Sequence, residues 1–325
     1  MNSSRPPLRW GLVGLGRHAT EAIVPALRRS ATAEIVACVG GNELAARDFA
    51  ERLEIPRVYD SFDGLVQDTD VDAVFVATPN ALHTPVVLAA ARAGKHVLCE
   101  KPLALTAEDG SAIVEACRSA GVQLRVGLHL RFEHSLGRVA EILRSGAIGM
   151  PLVLSIERTA PLEERVPWRA DPMQGGSVLF DVGVHLLDLV PRLLATEIAA
   201  LSALATPEPR TGRAADTITL LLRLRSGVQA TIRVSREAPF AGNDLVAIGT
   251  AGLLRTGPLR WVPEHRIAVT TATGTSEETL PATDLYCAEI DAFAADLEDN
   301  GVRLATGEEG VRLIAITEAI QRALR

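Results

Sequence analysis

The stretch WGLVGLGRHATEAIVPAL, residues 10–27, decides the fold. The run LRWGLVG (8–14) has the short apolar form of a strand, and helical spacing follows it as far as Ser30. Between them stand Gly14, Gly16 and Ala19, in the pattern Gly-x-Gly-x-x-Ala. A glycine at 14 permits a tight turn. One at 16 leaves the backbone bare enough for a pyrophosphate to approach, and Ala19 keeps helix and strand close. The start of the helix offers unbonded N–H groups and the positive end of a dipole. Pro25 lies inside the helical pattern and predicts an interruption there.

The same rhythm continues outward from this turn. AEIVACVG (33–40) is a second strand, and NELAARDFAERL (42–53) is a helix that Asn42 caps. VDAVFVATP (71–79) is a continuous apolar run, as expected of a strand buried on both faces. HTPVVLAAARAG (83–94) is a helix closed by Gly94. KHVLCE, AEDGSAIVEACRSAG and VQLRVGL (95–100, 107–121, 122–128) repeat strand, helix and strand. The alternation predicts a doubly wound parallel sheet, a Rossmann domain over 1–126.

Residues 127–325 read differently. Helices are expected at 134–145 and about 176–194, followed by strand patterns with no helices between them. DTITLLLRL (216–224) sets Ile218, Leu220, Leu222 and Leu224 on one face. VQATIRV (228–234) sets Ala230, Ile232 and Val234 on one face, and RSG (225–227) between the two is a hairpin signal. This is an α+β domain with a mainly antiparallel sheet, one face covered by helices and the other rich in Thr and Arg. That polar face is either solvent surface or a wet subunit interface. The C-terminal helix is expected to pack back on the N-terminal domain. TPEPRTGRAAD (206–216) reads as an exposed loop.

Composition narrows the function. A net charge of −7 lacks the basic footprint of a nucleic-acid binder, and nothing points to a membrane surface. No apolar run reaches the roughly 20 residues of a membrane span. The four cysteines, Cys38, Cys99, Cys117 and Cys287, are scattered without CxxC spacing, which fits reduced thiols in the cytoplasm and no metal.

The strand 33–40 ends in Gly40, Gly41 and Asn42, where an acidic residue would bind the ribose of NAD. The cofactor is therefore read as NAD or NADP with a lean to NADP, Arg17 and Arg47 being the nearest basic side chains. Only two of the 33 basic residues are lysine. Lys95 opens the strand KHVLCE and reads as structural. Lys101 follows it at the carboxyl end, where open α/β sheets bind ligands. Arginine cannot be deprotonated in a protein, whereas a lysine can donate to a substrate oxygen and shift its pKa on burial. In the helix at 176–194, Asp181, His185, Asp188 and Arg192 share one face. His185 suits proton transfer near neutral pH, and Asp181 one turn earlier could orient it. The spacing fits a surface i,i+4 pair equally well.

GLGRHA (14–19), VATPNALHTPV (76–86), AGKHVLCEKP (93–102), Trp168–Arg169 and GGSVLFDVGVHLLD (175–188) together resemble the Gfo/Idh/MocA oxidoreductases. The likeness runs on through YCAEIDAF (286–293) and TGEEGVRLIAITEAI (306–320). It implies a large open sheet in the second domain that often mediates homo-oligomerisation. It implies an NAD(P)-dependent dehydrogenase acting on a secondary alcohol of a sugar, inositol or related polyol. It gives Lys101, Asp181 and His185 the catalytic roles, with Arg131 near the substrate. Thr78, Pro79, Asn80, His83, Glu100, Trp168 and Arg169 would lie along the cofactor. A nucleotide-sensing regulator, or a non-redox NAD-dependent hydrolysis or elimination, would use the same scaffold.

Overall fold

The computed structural model describes residues 6–161, 167–207, 215–240, 242–259, 262–298 and 304–324. The middle of the expected loop 206–216 lies outside them. The chain forms two compact units: Met1–His129 with Asp284–Ala315, and Leu130–Thr283 with Ile316–Arg325.

The first unit is a seven-stranded sheet. Its strands are β1 (Leu8–Val13), β2 (Ala33–Val39), β3 (Arg57–Tyr59), β4 (Ala73–Val76), β5 (His96–Glu100), β6 (Leu124–Gly127) and the short strand Ala305–Thr306. Their spatial order is 3-2-1-4-5-6, all parallel, with Ala305–Thr306 added antiparallel beyond β6. The reversal between β1 and β4 creates the switch point where such sheets bind ligands. All four residues of β4 are buried, because helices cover both faces. With few aromatics available, the core is built from small branched side chains such as Val39, Val74, Val76, Val97, Leu124 and Ile113.

Pro25 does interrupt the first helix. Ala19–Ile23 form one wide π turn, and an α-helix Val24–Arg29 follows with Pro25 in its first turn, where a missing N–H costs no bond. Asn42 caps the helix Glu43–Arg52, its Oδ1 accepting from Ala45 N at 3.1 Å. The segment after residue 284 adds the helix Leu285–Asp296 to this unit. Phe293 stacks on Trp10 with centroids 5.1 Å apart, and Asp291 accepts from Ser30 and Thr32. The helix Gly307–Ala323 belongs to the first unit as far as Ala315.

The second unit is an eight-stranded sheet of β7 (Pro151–Thr159), β8 (Ile198–Thr206), β9 (Thr217–Leu224), β10 (Gln229–Ser235), β11 (Leu245–Gly249), β12 (Gly252–Gly257), β13 (Glu264–Thr271) and β14 (Gly274–Pro281). The order is 14-13-12-11-7-10-9-8, and every pairing is antiparallel except β7 with β10. Ile218, Leu220, Ile232, Val234, Leu154 and Ile156 are buried on the inner face, against the helices His134–Ser145 and Val184–Leu193. The outer face carries Thr219, Arg223, Thr231 and Arg233 beside exposed Val153, Leu204, Leu221 and Ile248.

Candidate active site

In the first unit the glycine turn forms a cradle. Gly14 sits at φ +101°, and a Cβ there would lie 2.5 Å from the Ala77 carbonyl oxygen, so no other residue fits. A Cβ on Gly16 or Gly41 would meet nothing within 4 Å. Bare backbone thus faces open space at both strand ends, with the helix start behind Gly16. This geometry accepts a dinucleotide pyrophosphate. Arg17 and Arg47 are exposed, and each is paired with a glutamate one turn away, Glu21 after Arg17 at 2.8 Å and Glu43 before Arg47 at 2.6 Å. Exposed i,i+4 pairs hold by only about 0.3–0.5 kcal/mol, so an incoming phosphate can displace either glutamate.

The two lysines part as their places on β5 require. At its start, Lys95 Nζ donates to the carbonyls of Asp68 and Val71 at 2.8 and 2.7 Å, and burial lowers its pKa. At its end, half-buried Lys101 precedes Pro102 through a cis peptide bond. Glu100 beside it is buried, and its carboxylate accepts the Lys101 backbone N–H at 3.2 Å.

His83 is wholly buried, with Nδ1 2.7 Å from the Pro102 carbonyl and Nε2 3.1 Å from that of Thr78. The ring therefore braces the ends of β4 and β5 against each other. Burial pushes its pKa down, more than the two carbonyls and Glu100 raise it. Asn80 is buried in the turn that follows β4, and Thr78 and Pro79 are half-buried there. The sequence reading missed three neighbours of this strand end: His18, Tyr286 and His129. His18 Nε2 lies 2.8 Å from Glu100 Oε1, and Tyr286 contacts both histidine rings, with centroids 5.3 and 4.6 Å away.

In the second unit Asp181 lies in a π turn, Leu179–Gly183, that leads into the helix Val184–Leu193 carrying His185. His185 is 3 % exposed. The Asp181 carboxylate is 3.7 Å from Arg169 Nε, and the Arg169 guanidinium stacks over Trp168 at 5.3 Å. So Asp181, Trp168 and Arg169 gather in one place.

That place is held by backbone. A Cβ on Gly176 would lie 2.4 Å from the Arg169 carbonyl oxygen, and buried Arg236 donates to the same oxygen at 2.9 Å while pairing with Asp216 at 2.6 Å. Sequence reasoning did not find Arg236 or Asp216; nothing local marks an arginine that acts on a residue 67 positions away. The Arg131 side chain is buried, and its guanidinium closes on Asp188 through two hydrogen bonds, one of them 2.8 Å. This pair ties the start of the unit to the His185 helix.

A glycine cradle at the switch point of a doubly wound sheet, with a lysine at the carboxyl end of β5 two strands away, is the frame of a dinucleotide-dependent enzyme. Residues 8–128 match the oxidoreductase family with an NAD-binding Rossmann fold, and residues 136–255 match the GFO/IDH/MocA C-terminal domain. The chain belongs to the Gfo/Idh/MocA family, and its cofactor is NAD or NADP. It is 33 % identical to a 1,5-anhydro-D-fructose reductase of Ensifer adhaerens, over 97 % of this chain and 96 % of that one. It is 31 % identical to a D-xylose 1-dehydrogenase (NADP(+)) of Haloferax volcanii, over 96 % of each. Among solved structures it resembles an aldose–aldose oxidoreductase from Caulobacter crescentus, with a TM-score of 0.88, 28 % identity and 98 % of each chain covered. No helix among the described residues is long and apolar enough to cross a membrane.

Proposed function

We propose that the protein moves a hydride between a secondary alcohol of a sugar, inositol or related polyol and the nicotinamide cofactor, with a lean to NADP. The observation that carries this is the placing of Lys101 at the carboxyl end of β5, in the sheet whose β1 turn holds the Gly14–Gly16 cradle. The relatives named above, a reductase and a dehydrogenase of sugar-like substrates, support the substrate class.

The bound nicotinamide supplies the hydride chemistry. On this reading Lys101 hydrogen-bonds the substrate oxygen and stabilises the charge that develops there. His185 takes the hydroxyl proton as general base. Asp181 positions His185 and is itself held by Arg169. Trp168, Arg169, Thr78, Pro79, Asn80 and Glu100 line the cofactor, and Arg17 or Arg47 answers a 2′-phosphate.

The protein is further read as a cytoplasmic homo-oligomer that pairs through the open face of its second sheet. Exposed Val153, Leu221 and Ile248 among threonines and arginines support that face, and the free cysteines support the compartment.

The test mixes purified protein with NAD or NADP and a panel of aldoses, inositols and anhydro-sugars, and follows the absorbance of reduced nicotinamide. Substrate-dependent reduction is expected, faster with NADP. Turnover without net reduction would replace this reading with a non-redox reaction. Tight cofactor binding without turnover would replace it with a sensor.

A further inference from the structure

His18 stands inside the cofactor turn, one residue before Ala19, yet the dinucleotide pattern asks nothing of that position. Its ring reaches across to β5. Glu100 is an acceptor on both oxygens: Oε1 takes His18 Nε2 at 2.8 Å, and Oε2 takes the Lys101 backbone N–H at 3.2 Å. The Glu100 side chain is 9 % exposed and that of His18 35 %. Tyr286 meets the His18 ring edge-on and limits where it can turn. A carboxylate this buried must be paired or protonated.

The groups around Glu100 are few. His18 comes from the first helix, Lys101 follows on the same strand, and His83 comes from the helix after β4. The β6 neighbour is Gly127, which brings no charge. Burial pushes the Glu100 pKa up. His18 pulls it down most, Lys101 and His83 add to that, and the balance falls below the ordinary carboxylate value.

We propose that His18 is a positioning residue for Lys101: it holds the Glu100 carboxylate charged and in place, and that carboxylate fixes the strand end bearing the lysine. The turn that receives the cofactor is thereby tied, through one histidine, to the group that receives the substrate oxygen. The role of Lys101 in this inference rests on the proposed reaction; the His18–Glu100 pair does not.

Two measurements on the full chain separate these. Carboxyl NMR of glutamate-labelled protein follows the titration of Glu100, assigned by the signal lost in Glu100→Gln. His18→Ala should raise the Glu100 midpoint by about one pH unit, a tenfold change in proton affinity. His18→Gln keeps a donor and should shift it less. In the rate assay His18→Ala should lower kcat about tenfold at neutral pH, where Glu100 stays ionised in both proteins and the loss reports the displaced strand end, with KM within about twofold of wild type. His18→Gln should restore most of the rate.

An unmoved Glu100 titration in a folded His18→Ala variant would overturn the proposal, as would a His18→Gln shift as large as that of His18→Ala. So would a moved titration with an unchanged kcat. A wild-type protein that reduces no cofactor with any polyol would sink the redox reading alone, and the Glu100 titration would still judge the pair.

Discussion

Two lysines at the two ends of one strand stand in different surroundings. Lys95 and Lys101 bracket β5, and only the second stands at the ligand edge. Lys101→Arg should therefore keep the charge and lose about a hundredfold in kcat, measured by initial rates, because arginine is longer and cannot give up its proton. Lys95→Ala should leave kcat unchanged. It removes the ammonium from the Asp68 and Val71 carbonyls and should cost about 1–3 kcal/mol in denaturant unfolding. The placement of the two lysines at opposite ends of β5 was legible in the sequence, since strand direction and a lysine at each end are local facts. The His18–Glu100 pair was not, for its members lie 82 residues apart and a histidine in a glycine turn names no partner. The family resemblance put Arg131 near the substrate, and no local pattern in the sequence named a partner for it. The structure gives it a buried carboxylate, Asp188, that only the fold brings near.

Elements followed local pattern where that pattern was strong. The βα units of the first unit, the caps at Asn42 and Gly94, and the hairpin joining β9 to β10 all stand where spacing and turn chemistry put them. Non-local pairing was harder to see. β7 lies centrally in its sheet, parallel to β10 and antiparallel to β11, and no stretch of sequence announces which strand it will join. The return of the helix Leu285–Asp296 to the first unit depends on Phe293 meeting Trp10 across most of the chain.

The brace between β4 and β5 has a consequence for pH. His83 is buried with its pKa below the ordinary 6.5, so between those two values the unfolded chain binds the extra proton. Its contribution to stability is complete above the ordinary value and declines as pH falls below it. Thermal melts from neutral to mildly acid pH should show this decline in the wild type and a shallower one in His83→Gln. Equal slopes would place the histidine's charge elsewhere.

At the scale of the molecule, the sequence reading separated a parallel nucleotide-binding half from a sheet-rich half. It left the polar face of the second sheet open between solvent and interface. Val153 and Ile248 are cross-strand neighbours on that face, both exposed. If copies of the chain pair there, Val153→Lys with Ile248→Lys should reduce the mass seen by light scattering to that of one chain without lowering the melting temperature. A wild type that is already monomeric would remove the oligomer from the account.

The most direct test of the central claim follows the hydrogen itself. A polyol that turns over is deuterated at its carbinol carbon and incubated with the protein and oxidised cofactor, and the reduced nicotinamide is examined by mass spectrometry. The account predicts deuterium on the nicotinamide ring, one atom per product formed, and its near loss in Lys101→Arg. Turnover that leaves the nicotinamide unlabelled, with the deuterium in solvent or retained in the product, would contradict it.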